Sequence, residues 1–274
     1  MGRYLRLLWA FARFGLAQEM AFRANFLAKL AVEALWLGIL LAFYRTIFAK
    51  TAHVANWSET EYLFFVGCYF ALEGLVETLF LSNCSEFSDL IRSGDLDFIL
   101  LKPIDEQFLV SCRNLDWSTA PNALMGAAVM AVALHDLGWT PTLDNVARAG
   151  VFLIVFASGL GMAYAFLLML TSTSVWFVRN QSLMELWWLF SSLMRYPREI
   201  FSYTWARPIG TFFTFVIPVM LVINVPARMM VKALDQLRDD LWIVGFMLVA
   251  TVALLAFSRW FFRAALRRYR SASS

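Results

Sequence analysis

Carboxylates inside apolar stretches are the residues of this sequence best placed to do chemistry. Glu73 and Glu77 lie four residues apart, so a helix puts them on one face. Glu185 stands in a later apolar run, and Glu33 stands with Lys29 in the first. A charged side chain at the centre of a bilayer costs about 2.5–3.5 kcal/mol on insertion scales, and such groups therefore pair, face the protein interior or line an aqueous path. Two roles follow for them: proton transfer along a transport path, or a polar packing seam between helices.

The sequence contains no enzyme motif. The phosphate-binding pattern GxxxxGK[ST] and the hydrolase and redox patterns HExxH, GxSxG and CxxC are absent. The three cysteines are far apart and the two histidines stand alone, so none of them has the spacing of a metal site. We therefore predict a chain that is not an enzyme and that carries no catalytic residue, cofactor or metal of its own.

The composition excludes an ordinary soluble domain. Hydrophobic residues make up 61% of the 274 residues and charged residues only 16%, against about 45–50% and about 25% in soluble proteins. The formal net charge of +3 gives no indication of nucleic-acid binding. We predict an all-α, polytopic membrane protein with a single transmembrane domain over residues 1–274.

Six apolar stretches are long enough to cross a bilayer, since one crossing takes about 20 helical residues. They cover residues 25–48, 61–82, 115–137, 148–171, 176–195 and 241–260. Both ends of the chain are rich in arginine, and basic residues favour the cytoplasmic side of a membrane. An even number of crossings puts both termini there, as six spans do.

Two further segments are apolar but do not have the sequence pattern of an ordinary membrane-spanning helix. Residues 1–23 carry apolar side chains at helical spacing with arginines between them, the pattern of a helix that lies in the membrane interface. Residues 197–230 contain a twenty-residue uncharged run, 208–227, that three prolines interrupt. Because proline breaks the helical hydrogen-bond ladder, we predict a re-entrant hairpin at the outer face before the last span.

The segment of residues 83–114 lies between two apolar runs, and we predict it to be cytoplasmic. Ser93-Gly94 should end a short amphipathic helix, because glycine readily adopts the left-handed conformation at a helix C-terminus. A second short apolar element follows, and Pro103 ends it. An unpartnered loop has little reason to expose Phe98-Ile99-Leu100-Leu101, so we expect a helix–turn–helix that docks on another protein.

Two patterns in the chain resemble those of a known family. Ile91-Arg92-Ser93-Gly94-Asp95-Leu96-Asp97, followed by Leu100-Leu101-Lys102-Pro103, resembles the signature of bacterial ABC exporter permeases of the type-2 class. Tyr4-Leu5-Arg6 and Phe22-Arg23-Ala24-Asn25-Phe26 are similar to the N-terminal pattern of a subgroup whose permeases are encoded as paired, non-identical halves. The six-span layout and the late hairpin extend this resemblance over the whole chain.

The resemblance implies the transmembrane permease subunit of an ATP-driven exporter in the bacterial inner membrane. A separate ABC ATPase would bind ATP and Mg²⁺, and a second permease subunit, expected to be a different chain, would complete the pathway. The 83–114 segment would be the coupling region that contacts the ATPase, and the N-terminal helix would touch the same partner. The implied ATPase-coupling residues are Arg92, Gly94, Asp95, Leu96, Asp97, Leu100, Lys102 and Pro103. A pathway lined by aromatic and aliphatic side chains would suit an amphipathic substrate.

Two other functions compete with this interpretation. A proton-coupled secondary transporter would use Glu73, Glu77 and Glu185, but the inverted repeats usual in such transporters are not evident in the sequence. A membrane subunit without transport activity would show the same hydropathy and no substrate flux.

Overall fold

The computed structural model describes residues 2–177, 181–232 and 241–269, and this part of the chain is helical without a strand. The helices are α1 (Gly2–Ala21), α2 (Arg23–Phe48), α3 (Glu59–Val76), α4 (Phe87–Ser93), α5 (Asp95–Leu100), α6 (Glu106–Cys112), α7 (Ala120–Asp136), α8 (Leu143–Thr173), α9 (Gln181–Met194), α10 (Arg207–Thr211), α11 (Leu221–Val231) and α12 (Leu241–Arg268). Two π-helical turns (Glu77–Leu81 and Phe212–Val216) extend α3 and α10, a short helix (Ser82–Ser85) follows the first, and a 3-10 helix (Arg198–Ser202) precedes α10. The prediction of an all-α chain is confirmed.

Four helical stretches of the described chain are long and apolar enough to cross a membrane. They are α2, α8, α12 and the 35-residue stretch Glu59–Ser93, in which α3 runs on into α4. The α10–α11 pair, bent by 93° at its break, makes a fifth if it is one broken span. Six spans are therefore not shown, because α7 and α9 have only 17 and 14 residues. The predicted span 176–195 includes residues 178–180, which lie outside the described residues.

The second predicted span, 61–82, does not end at Ser82. The helix continues to Ser85, and a single turn residue, Glu86, separates it from α4. Asn83 Nδ2 donates a hydrogen bond to the Asn114 carbonyl at 2.6 Å, and Asn83 Oδ1 accepts one from the Asn114 N–H at 2.9 Å. The Asn83 side chain thus binds a distant backbone segment, which leaves the helix free to continue.

α3 is the central helix of the described structure. Twelve of its 18 residues are buried, and it packs mainly against α7, with α11, α8 and α2 around its other sides. This interior position matches the apolar side chains that α3 carries around most of its circumference. In contrast, α2 buries only Leu37 and Phe48 within the described chain and exposes large apolar side chains along its length. α2 therefore presents a surface that the described chain leaves uncovered.

α3 and α7 approach so closely that their backbones touch. A Cβ atom added to Gly126 of α7 would lie 2.2 Å from the Ala71 nitrogen, and one added to Gly74 of α3 would lie 2.4 Å from the Ala123 nitrogen. A Cβ atom on Gly67 would likewise meet the Gly126 oxygen at 2.9 Å. Small residues permit this packing between membrane helices, where van der Waals contact drives association.

A buried ion pair holds the bent α10–α11 pair together at one end. Glu199, in the 3-10 helix, pairs with Arg228 of α11 at 2.5 Å, and their side chains are only 13% and 16% exposed. Glu199 also accepts hydrogen bonds from Trp57 Nε1 at 3.1 Å and from Asn224 Nδ2 at 2.8 Å. Burial alone would raise the pKa of Glu199, but the Arg228 charge and these hydrogen bonds outweigh it and lower that pKa from 4.5.

A second ion pair ties the end of α11 to the start of α3. Lys232 Nζ lies 2.7 Å from Glu61 Oε2, donates to the Asn56 carbonyl at 2.5 Å and stands 4.9 Å from the centre of the Trp57 ring. Glu61 also caps its own helix, since its carboxylate accepts the Ser58 N–H at 2.8 Å in a capping box. The basic residues Arg228 and Lys232 are therefore paired, which offsets the cost of placing them in an apolar region.

Gly126→Ala should destabilise the protein, because the added methyl group would collide with the α3 backbone. We expect the free energy of unfolding to fall by about 1–3 kcal/mol, the usual cost of overpacking. Gly150→Ala is the matched control, since an added Cβ atom at Gly150 of α8 has no neighbour within 4 Å. Unfolding of the purified proteins in detergent measures both effects. Equal stability of the wild type and Gly126→Ala would contradict the close contact.

Glu199→Gln should destabilise the protein and reduce its sensitivity to acid. Removing one partner of a buried ion pair costs about 3–5 kcal/mol, because the other charge stays buried. Because the pKa of Glu199 is lower in the folded protein than its ordinary value of 4.5, the pair contributes its full stabilisation above pH 4.5. This stabilisation is lost as the pH falls through the lower pKa of the folded state. Unfolding curves of the wild type and the variant, measured from neutral pH down to about pH 3, should converge in acid. Curves that stay parallel would show that the pair does not stabilise the fold.

Candidate functional sites

The 83–114 segment contains two short helices joined at a glycine. α4 ends at Gly94, whose φ of 79° is left-handed, and α5 begins at Asp95. A residue with a Cβ atom is strained in this conformation, and glycine is not. Ser93 Oγ donates to Asp95 Oδ2 at 2.7 Å and accepts from the Asp95 N–H at 3.3 Å. The structure thus confirms the helix end predicted at Ser93-Gly94.

The two helices bury one face against the rest of the protein. Leu96 and Ile99 of α5 are buried in an apolar cluster with Phe87 of α4. Leu168 of α8 and Phe262 of α12 belong to the same cluster. The α4–α5 pair is therefore packed on the ends of two long helices, and it is not a loosely attached loop.

The opposite face carries large apolar side chains that the rest of the described chain leaves exposed. Phe98 is 68% exposed and Leu101 is 81% exposed. The charged residues Arg92, Asp95 and Lys102 around them are also exposed. We call these five residues the exposed patch.

The eight predicted coupling residues divide between these two faces. Leu96 is interior, Leu100 and Asp97 are half-buried, and Gly94 shapes the turn. Arg92, Asp95, Lys102 and Pro103 are exposed. Asp97 lies near Tyr269, where burial first and then the negative charge of Asp97 raise the pKa of the phenol. The set implied by the resemblance does not include Phe98 and Leu101, the two apolar residues of the patch. Their spacing of three residues in an apolar run indicates that they share one face of a helix.

α1 and α12 support the loop that follows α5. Arg3 Nη2 donates to the Pro103 carbonyl at 3.2 Å, and the Tyr4 hydroxyl accepts the Asp105 N–H at 3.4 Å. Arg259 Nη2 pairs with Asp105 Oδ2 at 2.8 Å. The N-terminal helix thus contacts the 83–114 segment directly, and a displacement of the segment must also strain these contacts.

A second candidate site is a cavity of about 260 Å³ between α2, α3, α7 and α9. Its polar lining consists of Glu33, Glu73, Glu77, Asn122 and Arg195. Glu73 and Glu77 share this cavity, as their spacing on one helix predicts. Glu185 is exposed on α9 and does not line it. We call this site the acid cavity.

One end of the acid cavity is a hydrogen-bonded network. Ser191 Oγ donates to Glu73 Oε1, and the Tyr69 hydroxyl lies 3.1 Å from the same Ser191 oxygen. Arg195 Nη2 donates to the Tyr69 hydroxyl at 3.1 Å, and its guanidinium carbon lies 5.1 Å from the centre of that ring. Within the described residues, no carboxylate lies at ion-pair distance from Arg195.

At the other end of the cavity, the carboxyl groups have fewer hydrogen-bond partners. Glu77 accepts one long hydrogen bond, 3.5 Å from Asn122 Nδ2. Glu33 has no hydrogen bond or ion pair with any residue that the structure describes. Glu33, the only acidic residue between positions 25 and 48, was among the carboxylates that the sequence offered for this role. Arg195 was not predicted to belong to the site.

Comparison with known proteins gives one family. The sequence model of the ABC-2 family transporter proteins matches residues 34–273, which include the 83–114 segment and α3 to α12. No curated protein and no solved structure matches the chain at a significant level. With this family match and four helices long and apolar enough to cross a bilayer, the chain is a multi-pass membrane protein that belongs to the ABC-2 family of transporter permeases.

Proposed function

We propose that the chain is the permease subunit of an ATP-driven exporter and that it works with a separate ABC ATPase. Family membership gives the class of transport subunit. The observation that supports the ATPase partnership is the exposed patch, where Phe98 and Leu101 are exposed on a well-packed segment that also carries exposed charges. Large apolar side chains at such a position are typical of a docking surface. ATP and Mg²⁺ would be bound by the partner, and this chain would contribute no hydrolysis chemistry.

The packing of the α4–α5 pair supports a role in transmitting force. Its buried face contacts α8 and α12, and the following loop is bonded to α1 and α12. A movement of the docked ATPase would therefore act on several long helices at once. The ATPase would favour one arrangement of the helices by binding it more tightly than the other.

We further propose six crossings, with α7 and α9 as short spans, the α10–α11 pair as a re-entrant hairpin, and α1 in the interface. Pro218 lies in the break of the bent pair, where it prevents a continuous helix. This arrangement puts the 83–114 segment and both termini in the cytoplasm of a bacterial cell, with the chain in the inner membrane.

The exposed face of α2 supports a second permease subunit as a partner, expected to be a different chain.

Two cavities favour the proposal that the substrate is amphipathic. The acid cavity is polar, and an apolar cavity of about 230 Å³ lies between α8, α9, the hairpin and α12.

The proton-coupled alternative, through Glu73 and Glu77, is not favoured, because ABC-2 permeases work with ABC ATPase components.

Replacing Phe98 and Leu101 together by alanine should weaken binding of the ATPase by about tenfold or more, since large apolar side chains dominate protein interfaces. The fold should be unaffected, because both side chains are exposed. The measurement is co-purification of the ATPase with the permease, together with the ATP hydrolysis rate of the complex.

Two control variants separate docking from folding. Leu143→Ala removes a side chain that is 86% exposed at the far end of α8 and should bind the ATPase normally. Leu96→Ala removes a fully buried side chain and should cost about 2–5 kcal/mol of stability. If the Phe98 and Leu101 variant binds the ATPase as tightly as the wild type, the patch is not the docking surface. If it binds normally and no substrate flux is found, the non-transporting subunit is the better interpretation.

Cysteine labelling should place the exposed patch in the cytoplasm. In a variant whose native cysteines are replaced by serine, a cysteine at Lys102 should react with a membrane-impermeant maleimide only after the cells are opened. A cysteine at Thr140, in the exposed loop between α7 and α8, should react in intact cells. The reverse pattern would refute the proposed orientation and the docking of the ATPase on this segment.

A further inference from the structure

The acid cavity has an excess of acceptors over donors. Three carboxyl groups and one guanidinium line it, and Arg195 is already bonded to Tyr69. Ser191 donates to Glu73, whereas Glu77 has only the long contact with Asn122 and Glu33 has no partner among the described residues. Most of the unoccupied hydrogen-bonding capacity of the cavity is therefore that of oxygen acceptors; the exception is Arg195 Nε, a buried donor without an acceptor in the described structure.

Asn122 provides an independent sign that a donor is missing. Its side chain is only 7% exposed and lines the cavity, yet Oδ1 has no hydrogen-bond partner in the described structure. A buried acceptor without a donor costs about 1–3 kcal/mol. A ligand with N–H groups would satisfy this oxygen and the neighbouring carboxylates together.

The remaining walls of the cavity are mainly aromatic. Trp36 of α2, Phe70 of α3 and Trp188 of α9 line it beside the carboxyl groups, together with Val32 and Gly74. Aromatic faces attract cations, most strongly for tryptophan and in sites shielded from water. Trp36 is 47% exposed and Trp188 is 50% exposed, so the cavity can be reached between α2 and α9.

We propose that the acid cavity binds the cationic, N–H-bearing group of an amphipathic substrate. Glu33 and Glu77 would receive its charge, Asn122 would accept one of its N–H groups, and the tryptophans would cover its flat faces. This inference rests on the proposed function and names the substrate class of that pathway. An amine or guanidinium group fits within about 260 Å³, and the apolar remainder of the molecule would extend towards the exposed faces of α2 and α9.

The test uses two probes of the same shape that differ in charge, phenylguanidinium and the neutral phenylurea. Calorimetric titration of the purified permease–ATPase complex should show at least about tenfold tighter binding of the cation. Glu33→Gln combined with Glu77→Gln should weaken binding of the cation by about tenfold and leave phenylurea binding unchanged. Glu185→Gln, an exposed position on α9 outside the cavity, should change neither.

Equal affinity of the wild type for the two probes would overturn the inference, as would a double variant that loses both probes equally or neither. Glu33→Gln alone keeps the test decisive if the double variant does not fold, because Glu33 has no partner in the described structure to lose. Failure of the ATPase to co-purify with the wild type would count against the proposed function, whereas a co-purified, ATP-hydrolysing complex without charge selectivity would count against the acid cavity alone.

The cationic group can belong to a free molecule or to the headgroup of an amine-bearing lipid. Repeating the titration in nanodiscs with and without phosphatidylethanolamine distinguishes the two. Competition by that lipid would assign the cavity to a headgroup, and unchanged affinity would assign it to a free cation. Both results require the carboxylates.

Discussion

The backbone contact between α3 and α7 is the constraint on which the other features of this structure depend. Because Gly126 leaves no room for a side chain, α3 is fixed at the centre of the helices that surround it. The start of α3 bears Glu61, which pairs with Lys232 at the end of α11, and its last turn bears Glu73 of the acid cavity, with Glu77 at the start of the π-helical turn that follows. The same helical stretch, Glu59–Ser93, ends at the exposed patch. One buried helix therefore positions both candidate sites.

The π-helical turn at Glu77–Leu81 lies between those two sites. Such turns insert an extra residue into the helical repeat and often occur at functional positions. Here the Thr78 carbonyl accepts the Asp116 N–H at 3.0 Å, a bond to the connection between α6 and α7. The turn thus ties the base of the 83–114 segment to the helix that carries Glu77. Within this turn Thr78 is buried and Glu77 lines the acid cavity.

The sequence predicts those features that local chemistry decides. The apolar runs indicate helices of a membrane protein, and the backbone freedom of Gly94 indicates where α4 ends. Features that depend on contacts between residues far apart in the sequence cannot be predicted from local patterns. The helix passes Ser82 because Asn83 binds the backbone of Asn114, 31 residues away. Glu33 faces the acid cavity and Glu185 does not because of the way α2 and α9 dock on α3, which the spacing within either helix does not determine.

The different burial of the helices suggests which walls of the acid cavity move in the proposed transport cycle. Glu73 of α3 and Asn122 of α7 stand on the two helices in closest contact, whereas α2 buries only Leu37 and Phe48 in the described chain. Within the described chain, α2 with Glu33 and Trp36 is therefore held by fewer contacts than the helical stretch that bears Glu73 and Glu77. A coupling claim needs an element with two arrangements that both sites bias. α2 is the candidate for that element in the proposed cycle, because α1, which contacts the 83–114 segment, leads directly into it. In that cycle a push on the exposed patch would reach the cavity through α1 and α2, with α3 held by its contact with α7.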